Sequence, residues 1–424
     1  MQKILIQNGS VVFEDSVKKA DLLLEDGKIV KIDSKIKADN ANIIDATDKF
    51  IFPAFIDIHT HLREPGYTRK EDIATGSLAA VKGGFSQVCC MPNTSPVCDN
   101  PTIVYYIKNR AKEVNLCKIH PIGAVTSSLN GEKLTEVGKM KELGIVAISD
   151  DGRPVENSAM MANAMQYAAN FGIKVLSHCE DSSLAKGGCV NEGKNATKIG
   201  LKGIPKVAEE IMIARDILLA EYYNLPIHIC HVSTKTGVQL IREAKARGVQ
   251  VTCESCPHYF TLTDDCILSM NAYTKVNPPI REEEDRIAIL NGIIDGTIDC
   301  IVTDHAPHHE EEKNCAFDLA AFGISGLETS FALSYTHLVK SNKISLSKLA
   351  TLMSASPAKI LNLEGGSLSV GAVADVAIVD LNKKFVIDGQ KFLSKGKNTP
   401  FNGMEVYGVV EYTIVNGEIK YKGE

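Results

Sequence analysis

Three features that would point to a membrane, to secretion or to a nucleic-acid partner are missing from this chain of 424 residues. No apolar run approaches the roughly 18 residues that a membrane-spanning helix needs. The first residues, MQKILIQNGSVVFEDS, contain no signal-peptide core and no small-residue cleavage site. Lysine and arginine total 46 against 52 acidic residues, and no dense basic cluster occurs. We therefore expect a cytoplasmic protein with no membrane or nucleic-acid partner.

The cysteines lack the spacing of a zinc ribbon. Cys253 and Cys256 form a lone C-x-x-C, and no second pair lies at a suitable distance along the chain. A structural zinc site is therefore the weaker interpretation. Many of the 12 cysteines lie in apolar, strand-like runs. In a long chain without a secretory signal, such residues are typically buried, reduced thiols.

Two flanks and a middle region differ in their pattern of apolar residues. The flanks, residues 1–51 and 367–424, contain β-rich runs joined by Asn-Gly and Asp-Gly turns, and we expect them to pair as a small β-sandwich. In residues 52–366, eight apolar strand-like runs alternate with helix-length segments such as 205–223 and 235–247. This α/β pattern predicts a closed (β/α)8 TIM barrel. A doubly wound open sheet is the alternative, but its G-x-G-x-x-G signal is missing after the first barrel strand.

Metal-capable residues occur at the carboxyl ends of five predicted barrel strands. His59 and His61 on the first strand project to the same side, because successive strand residues alternate between faces. In a barrel these strand ends meet at the face where barrel enzymes have their active sites. Four imidazoles and two carboxylates exceed the four ligands of one tetrahedral zinc, and they suit two metal ions. The candidate ligands are His59, His61, Asp151, His178, His231 and Asp304.

The two aspartates at the end of the fourth strand have different expected roles. Asp151 is the candidate bridge between two metal ions, whereas Asp150 points to the opposite face and is expected to have a supporting role. A hydroxide between two divalent ions is nucleophilic near neutral pH, because the ions lower the pKa of water. This chemistry suits attack on an amide carbon, with Asp304 as both metal ligand and proton shuttle.

Other polar residues near the strand ends are candidates for substrate binding. Arg63, two residues after His61, offers a planar fork that can hold a carboxylate. Asn93 follows the second strand. Asn277 follows the seventh strand in the motif VNPPIR, where a turn-capping role is also open. The polar loop of residues 304–323 is expected to close over the site as a lid.

Eight motifs occur in order from the first predicted barrel strand to the last: HLREPG, MPNT, SDDG, SHCED, HVST, CPHY, VNPPIR and TDHAPH. Together they resemble the amidohydrolase superfamily and, within it, dihydroorotases of the bacterial class I type. The resemblance covers essentially the whole chain. It implies an enzyme with two zinc ions per chain that interconverts N-carbamoyl-L-aspartate and L-dihydroorotate in de novo pyrimidine (UMP) synthesis. It also implies a homodimer and, as in some relatives, association with aspartate transcarbamoylase.

The resemblance assigns roles to the candidate residues. One zinc would be bound by His59, His61, Asp151 and Asp304, and the other by Asp151, His178 and His231. A zinc-bridging hydroxide would be the nucleophile, and Asp304 would be the proton shuttle. The substrate would contact His61, Arg63, Asn93, Asn277, His308 and the backbone at Phe322 and Gly323. Many relatives bridge their metals with a carboxylated lysine, whereas residues 149–152 read SDDG here, which favours the aspartate-bridged subgroup.

Two other functions stay open from the sequence alone. An allantoinase or hydantoinase would hydrolyse a ring amide as well, but Arg63 favours a carboxylated substrate over an uncharged hydantoin. A relative without metal would serve as an assembly partner, although all the candidate ligands are present here. The identity of the metal is a further open point, because zinc, manganese and cobalt accept similar ligands.

Overall fold

A computed structural model describes residues 3–423. The N-terminal segment forms short strands joined by tight turns. Asn8 and Asp26 adopt left-handed backbone angles, φ 65° and 51°, directly before glycines, as the Asn-Gly and Asp-Gly signals predict. The strands are β1 (Lys3–Gln7), β2 (Ser10–Val12), β3 (Val17–Lys19), β4 (Asp21–Glu25), β5 (Lys28–Asp33), β6 (Asn42–Asp45) and β7 (Phe50–Pro53).

The middle of the chain forms the predicted barrel. Its strands pair in parallel with their neighbours in chain order, and a bridge between Thr60 and His305 joins the last strand region to the first. The strands of this region are β8 (Phe55–Thr60), β9 (Phe85–Cys90), β10 (Lys118–Pro121), β11 (Gly123–Ala124), β12 (Ile148–Ser149), β13 (Val175–Ser177), β14 (Val190–Asn191), β15 (Gly203–Ile204), β16 (Ile227–Ile229), β17 (Val251–Ser255) and β18 (Cys300–Ile301). The short pair β14 and β15 lies outside the barrel. Every predicted barrel strand is therefore observed.

Helices follow most barrel strands and begin at recognisable caps. The helices predicted over 205–223 and 235–247 are observed as Val207–Tyr223 and Lys235–Ala246. The hydroxyl of Thr234 accepts a hydrogen bond from the Gly237 amide and so caps the second of these. The helices are α1 (Ile73–Lys82), α2 (Pro101–Val114), α3 (Val137–Glu142), α4 (Ser158–Ala169), α5 (Ser182–Ala185), α6 (Lys194–Ile199), α7 (Val207–Tyr223), α8 (Lys235–Ala246), α9 (Pro257–Thr261), α10 (Glu283–Asp295), α11 (Glu310–Lys313), α12 (Ser330–Ser334), α13 (Leu346–Ala350) and α14 (Ser356–Leu361).

The C-terminal segment returns to the N-terminal one. Strands β19 (Val376–Val386), β20 (Glu405–Val415) and β21 (Glu418–Lys422) complete a six-stranded sheet of order β21-β20-β19-β7-β2-β3. This sheet and the four-stranded sheet β5-β4-β1-β6 enclose a shared apolar core, which forms the expected β-sandwich. The domain boundary predicted between residues 51 and 52 falls within β7, which lies wholly in the six-stranded sheet.

A cluster of phenylalanines joins the sandwich to the barrel. Phe52 on β7 and Phe55 on β8 both contact Phe331, with ring centroids 5.3 and 4.9 Å apart. Full burial of a side chain of this size contributes about 1.5–3 kcal/mol. The cluster therefore anchors the start of β8, the strand that carries the first two candidate ligands.

Two observations concern the cysteines and the hydropathy of the helices. All 12 cysteines are free thiols, and most are buried. Among residues 3–423, neither Cys253 nor Cys256 belongs to a group of side chains that could hold a metal. In the same part of the chain, none of the helices combines the length and hydropathy needed to cross a membrane.

Candidate metal centre and substrate pocket

The six candidate metal ligands converge at the carboxyl end of the barrel. Asp304 Oδ1 lies 3.1 Å from His61 Nε2 and 3.5 Å from His59 Nε2. All six side chains are buried. The donor atoms form two groups, and within each group all of them lie within 4.8 Å of one another. The first group is His59, His61 and Asp151, and the second is Asp151, His178 and His231.

Asp151 faces both groups, with one carboxylate oxygen toward each. Its Oδ1 lies 3.0 Å from His178 Nδ1 and 3.2 Å from His231 Nε2. Its Oδ2 lies 3.4 Å from His61 Nε2 and 3.6 Å from His59 Nε2. One carboxylate shared between two sets of imidazoles is the arrangement that a bridging ligand needs.

Asp150 turns away from the cluster, as the alternation of strand residues predicts. Its carboxylate accepts hydrogen bonds from the backbone amide and the hydroxyl of Thr126, at 2.9 and 2.5 Å. Asp150 therefore holds the loop after the preceding barrel strand against the fourth strand, and it leaves the metal-facing position to its neighbour.

One nitrogen that faces the carboxylates of the cluster is buried and has no hydrogen-bond partner among the described residues. It is His59 Nε2, which lies 3.6 Å from Asp151 Oδ2 and 3.5 Å from Asp304 Oδ1. A buried polar atom without a partner is costly, because it has lost its hydration without compensation. Four imidazoles and two carboxylates are also a donor set that divalent transition metals accept. The residues present therefore fit a metal centre.

The charges of the cluster favour a cation. Burial opposes ionisation of His178, yet the Asp151 carboxylate raises the pKa of this imidazole. Burial likewise opposes ionisation of Asp151, but His59 and His178 lower its pKa well below the usual range. The buried carboxylates thus create a negative potential that favours a bound cation.

Two residues hold the first histidine pair from behind. His59 Nδ1 lies 2.5 Å from Glu254 Oε1, and the other oxygen of Glu254 lies 3.0 Å from His228 Nε2. His61 Nδ1 lies 2.9 Å from Asn93 Oδ1. Both histidines therefore present Nε2 to the centre of the cluster, as expected when a carboxylate or an amide oxygen orients a metal-binding imidazole.

Glu254 was missed by the sequence interpretation, and Asn93 has a contact that it did not foresee. Glu254 is completely buried in β17, and a glutamate in an apolar strand, two positions before the CPHY motif, was an available signal. Asn93, predicted to bind substrate, contacts His61 in this structure. Its predicted contact with substrate stays a prediction.

Arg63 is a buried cation that has no ionic partner among the described residues. Its Nε donates to the carbonyl oxygen of Pro307 at 3.3 Å, and its Nη2 lies 3.3 Å from His308 Nε2. Among residues 3–423, no carboxylate lies within 4 Å of its guanidinium group. Burial lowers the pKa of Arg63 only to about 10, so it stays charged near neutral pH. A buried guanidinium of this kind is suited to an anionic ligand.

Residues 305–324, which we call the pocket wall, contain three of the predicted substrate-binding residues. His308 Nε2 lies 2.8 Å from the carbonyl oxygen of Phe322. Burial and the neighbouring Arg63 lower the pKa of His308 to about 3, which leaves its ring neutral. The Gly323 amide donates to the carbonyl oxygen of Lys275 at 2.9 Å. The structure thus brings Arg63, His308 and Phe322 together, and the Gly323 amide is already paired.

Asn277 also presents an unpaired group. Its Oδ1 is buried, and it has no hydrogen-bond partner in the part of the chain that the structure describes. A turn-capping asparagine would use this oxygen to accept a backbone amide. The unpaired oxygen therefore favours the ligand-binding interpretation over the capping one.

Three of the site residues adopt left-handed backbone angles that side chains other than glycine rarely take. The φ angles are 62° at Arg63, 35° at His231 and 45° at Asp304. Such conformations cost about 1–3 kcal/mol each and persist where surrounding packing imposes them. Their concentration among the candidate site residues is typical of a functional site.

Comparisons with known proteins agree with this geometry. Residues 48–237 match the family model described as dihydro-orotase-like, and residues 324–421 match an amidohydrolase family model. The chain is 51% identical over 418 residues to a dihydroorotase of Acetivibrio thermocellus, with 98% of each chain covered. It is also 51% identical to a dihydroorotase of Ruminiclostridium cellulolyticum, over 98% of this chain and 97% of the relative. The chain belongs to the dihydroorotase family.

Solved structures place this member of the dihydroorotase family in the wider amidohydrolase fold. An L-hydantoinase (dihydropyrimidinase) from Arthrobacter aurescens aligns with a TM-score of 0.91 and 28% identity, covering 100% of this chain and 97% of that chain. A dihydropyrimidinase from Brevibacillus agri aligns with a TM-score of 0.87 and 23% identity, covering 99% of this chain and 95% of that one. The barrel and sandwich predicted from the sequence are confirmed.

Proposed function

We propose that this chain is a dihydroorotase that interconverts L-dihydroorotate and N-carbamoyl-L-aspartate in de novo pyrimidine synthesis. The observation that carries the proposal is Arg63, a buried guanidinium that contacts Pro307 and His308 and has no carboxylate partner within residues 3–423. Asp304 and Asp151 of the ligand cluster are near enough to raise its pKa against the effect of burial. A substrate with a carboxylate and a cyclic amide matches this pairing of an anion site with a metal site. Sequence identity of 51% to dihydroorotases across nearly the whole chain supports the same conclusion.

We further propose two zinc ions per chain. The first would be held by His59, His61, Asp151 and Asp304, and the second by Asp151, His178 and His231. When bound, such a pair supplies Lewis acidity toward the amide carbonyl and lowers the pKa of water. The two-sided position of Asp151 supports this assignment, as does His59 Nε2, which faces the cluster without a hydrogen-bond partner among the described residues.

The substrate would be oriented by the residues beside the metal cluster. The guanidinium of Arg63 donates to the substrate carboxylate, and neutral His308 adds no competing charge. The unpaired Oδ1 of Asn277 accepts a hydrogen bond from a ring N–H. These contacts hold the amide carbon in one position relative to Asp304, which converts an encounter in solution into an oriented reaction.

Asp304 moves the proton in both directions of the reaction. During hydrolysis, the oxygen of the attacking water bonds to the amide carbon, and the Asp304 carboxylate takes its proton. The carbon–nitrogen bond then breaks, and Asp304 gives that proton to the leaving nitrogen. During ring closure, Asp304 removes a proton from the carbamoyl nitrogen as this nitrogen bonds to the carbon of the side-chain carboxyl group. Asp304 then gives that proton to the departing hydroxyl oxygen as the carbon–oxygen bond breaks, and water leaves.

Direct assays test the proposal. The purified protein should contain about two zinc ions per chain by mass spectrometry and should hydrolyse dihydroorotate in preference to hydantoin and allantoin. Hydantoin hydrolysis is the competing activity, because several structurally similar proteins are hydantoinases. Faster turnover of hydantoin than of dihydroorotate would contradict the proposal. Absence of metal together with absence of any hydrolysis would favour an assembly role.

The quaternary state is a separate proposal. The family resemblance supports a homodimer, which light scattering after size-exclusion chromatography would measure. Association with aspartate transcarbamoylase is tested by co-elution of the two purified proteins. A cytoplasmic location also stays a prediction.

A further inference from the structure

A segment of the C-terminal domain reaches the pocket wall. Residues 394–398, which we call the bracing segment, lie between β19 and β20. The hydroxyl of Ser325 donates to the carbonyl oxygen of Gly396 at 2.8 Å, and the Ser325 amide donates to the carbonyl oxygen of Asn398 at 2.8 Å. Ser394 and Asn398 are both almost fully buried. The segment is thus packed as part of the barrel's active-site end.

The side chain of Asn398 ties together the two ends of the pocket wall. Its Oδ1 accepts a hydrogen bond from the His308 amide at 3.2 Å, and its Nδ2 donates to the carbonyl oxygen of Gly323 at 2.9 Å. The partners are a backbone donor and a backbone acceptor, so only a side-chain amide in this orientation satisfies both. An aspartate of the same size would place a negative oxygen against the Gly323 carbonyl.

The ring of the same histidine contacts the proposed carboxylate-binding residue. His308 Nε2 lies 3.3 Å from Arg63 Nη2, and the Pro307 carbonyl accepts from Arg63 Nε at 3.3 Å. Asn398 therefore holds the backbone from which both contacts to the guanidinium arise. Arg63 itself adopts a left-handed φ of 62°, a conformation that depends on such surrounding contacts.

Gly396 shows how closely the bracing segment fits the wall. A Cβ atom at this position would lie 2.5 Å from Pro307 Cβ, 2.8 Å from Asn398 Oδ1 and 2.8 Å from the Ser325 hydroxyl oxygen. Carbon atoms that are not bonded do not approach so closely, and therefore even alanine at Gly396 would push the segment away from Pro307.

We propose that Asn398 is a positioning residue for substrate recognition, through which the C-terminal domain holds His308 and Arg63 in the geometry that binds the substrate carboxylate. The proposal rests on the proposed dihydroorotase function. Asn398 itself does not contact the reacting atoms. Its role is to keep the carboxylate-binding wall in place, while the metal cluster depends on other contacts.

Steady-state kinetics of the zinc-loaded full-length enzyme test this role. Asn398→Asp should raise KM for dihydroorotate about tenfold while kcat stays within about twofold and zinc content stays unchanged. The matched control is Lys391→Ala in the same inter-strand region, whose side chain is 82% exposed and should have no effect. An unchanged KM in Asn398→Asp, or a parallel loss of kcat and zinc, overturns the proposal.

A double-mutant cycle separates positioning from general destabilisation. In an Arg63→Lys background, where the planar fork is already lost, Asn398→Asp should raise KM by less than about threefold. A full tenfold effect there would mean that the two residues act independently, contrary to the proposal. Should Asn398→Asp not fold, Gly396→Ala provides the same displacement without a new charge and should reproduce the selective rise in KM.

Hydrogen–deuterium exchange tests the positioning role without substrate. Amides of residues 305–324 should exchange faster in Asn398→Asp than in the wild type, with β8 and β13 unchanged. Unaltered exchange of the wall overturns the proposal whatever the substrate proves to be. Wild-type protein that fails to hydrolyse dihydroorotate would instead contradict the proposed function, so the two failures are distinguishable.

Discussion

The metal cluster and the pocket wall adjoin each other, yet they are held in different ways. The candidate metal ligands lie in barrel strands or within three residues of their ends, where ladder hydrogen bonds and a buried core determine the course of the backbone. Apart from the short helix α11, the wall is irregular, and its position depends on individual side chains such as Lys313 and Asn398. Because the two regions are held by different contacts, we expect some mutations to impair metal binding alone and others to impair substrate recognition alone.

The largest expected effect comes from removing the bridge. Asp151→Ala should lose most bound zinc and lower kcat/KM at least about 1,000-fold, because both groups of histidines lose their shared carboxylate. Metal analysis and kinetics measure this. Asp150→Asn is the matched control, since an asparagine oxygen still accepts from Thr126, and it should retain metal. Normal zinc content in Asp151→Ala would contradict the bridging role.

Loss of the anion site should affect substrate and spare metal. Arg63→Met should lower kcat/KM for dihydroorotate about 100-fold, as expected from losing a charge-assisted contact worth about 3 kcal/mol. Zinc content should not change. Arg69→Met, which removes a 65% exposed arginine paired with Glu311, is the control. Retention of wild-type KM in Arg63→Met would show that the substrate carboxylate binds elsewhere.

A change at Glu254 should affect the metal cluster and spare the pocket wall. Glu254→Gln should weaken zinc affinity about 10- to 100-fold, the usual cost of removing a group that orients a metal-binding imidazole. KM at saturating zinc should stay near the wild-type value. Competition with a chelator measures the affinity, and the exposed Glu243→Gln serves as control. Unchanged zinc affinity would mean that β8 alone orients His59.

The smallest expected effect concerns Lys313, which is buried in the wall. Its Nζ donates to the carbonyl oxygens of Lys275, Ala321 and Gly323 at 3.3, 2.7 and 3.0 Å. Lys313→Met removes these three hydrogen bonds, although the Lys275 and Gly323 carbonyls keep the Gly323 amide and Asn398 Nδ2 as donors. The change should raise KM roughly fivefold, equivalent to about 1 kcal/mol. The melting temperature should fall, while zinc content stays constant. The control Lys112→Met, at an exposed lysine, should change neither KM nor the melting temperature. Loss of zinc from Lys313→Met would contradict the independence of the metal cluster from the pocket wall.

The fold and the candidate ligands were predictable because they follow from periodicity. A strand repeats every two residues, so His59 and His61 had to share a face, and Asp150 and Asp151 had to differ. A parallel barrel then brings distant strand ends to one rim. Glu254 obeys the same rule, and a closer interpretation of its apolar strand would have found it.

The wall was not predictable in the same way. Asn398 and Lys313 act on residues that are distant in the chain or lie in irregular loops, and no periodic pattern connects them to their partners. Both side chains bind backbone groups, which every residue has. The type of the partner residue therefore gives no indication in the sequence that such a contact exists. A polar segment such as SKGKNTP is ordinarily interpreted as exposed, whereas here Ser394, Asn398 and Thr399 are buried.

The pairing of β7 with β19 has a consequence for biosynthesis. Val376 pairs with Pro53 across most of the chain's length, and β20 and β21 lie further still toward the C-terminus. As the polypeptide leaves the ribosome, β7 has its neighbour β2 at once but must wait for β19 until the barrel has been synthesised. This sheet therefore cannot close before the barrel has been synthesised, and the same late part of the chain supplies Asn398 to the pocket. A chain released early would expose a sheet edge and have an incomplete substrate site.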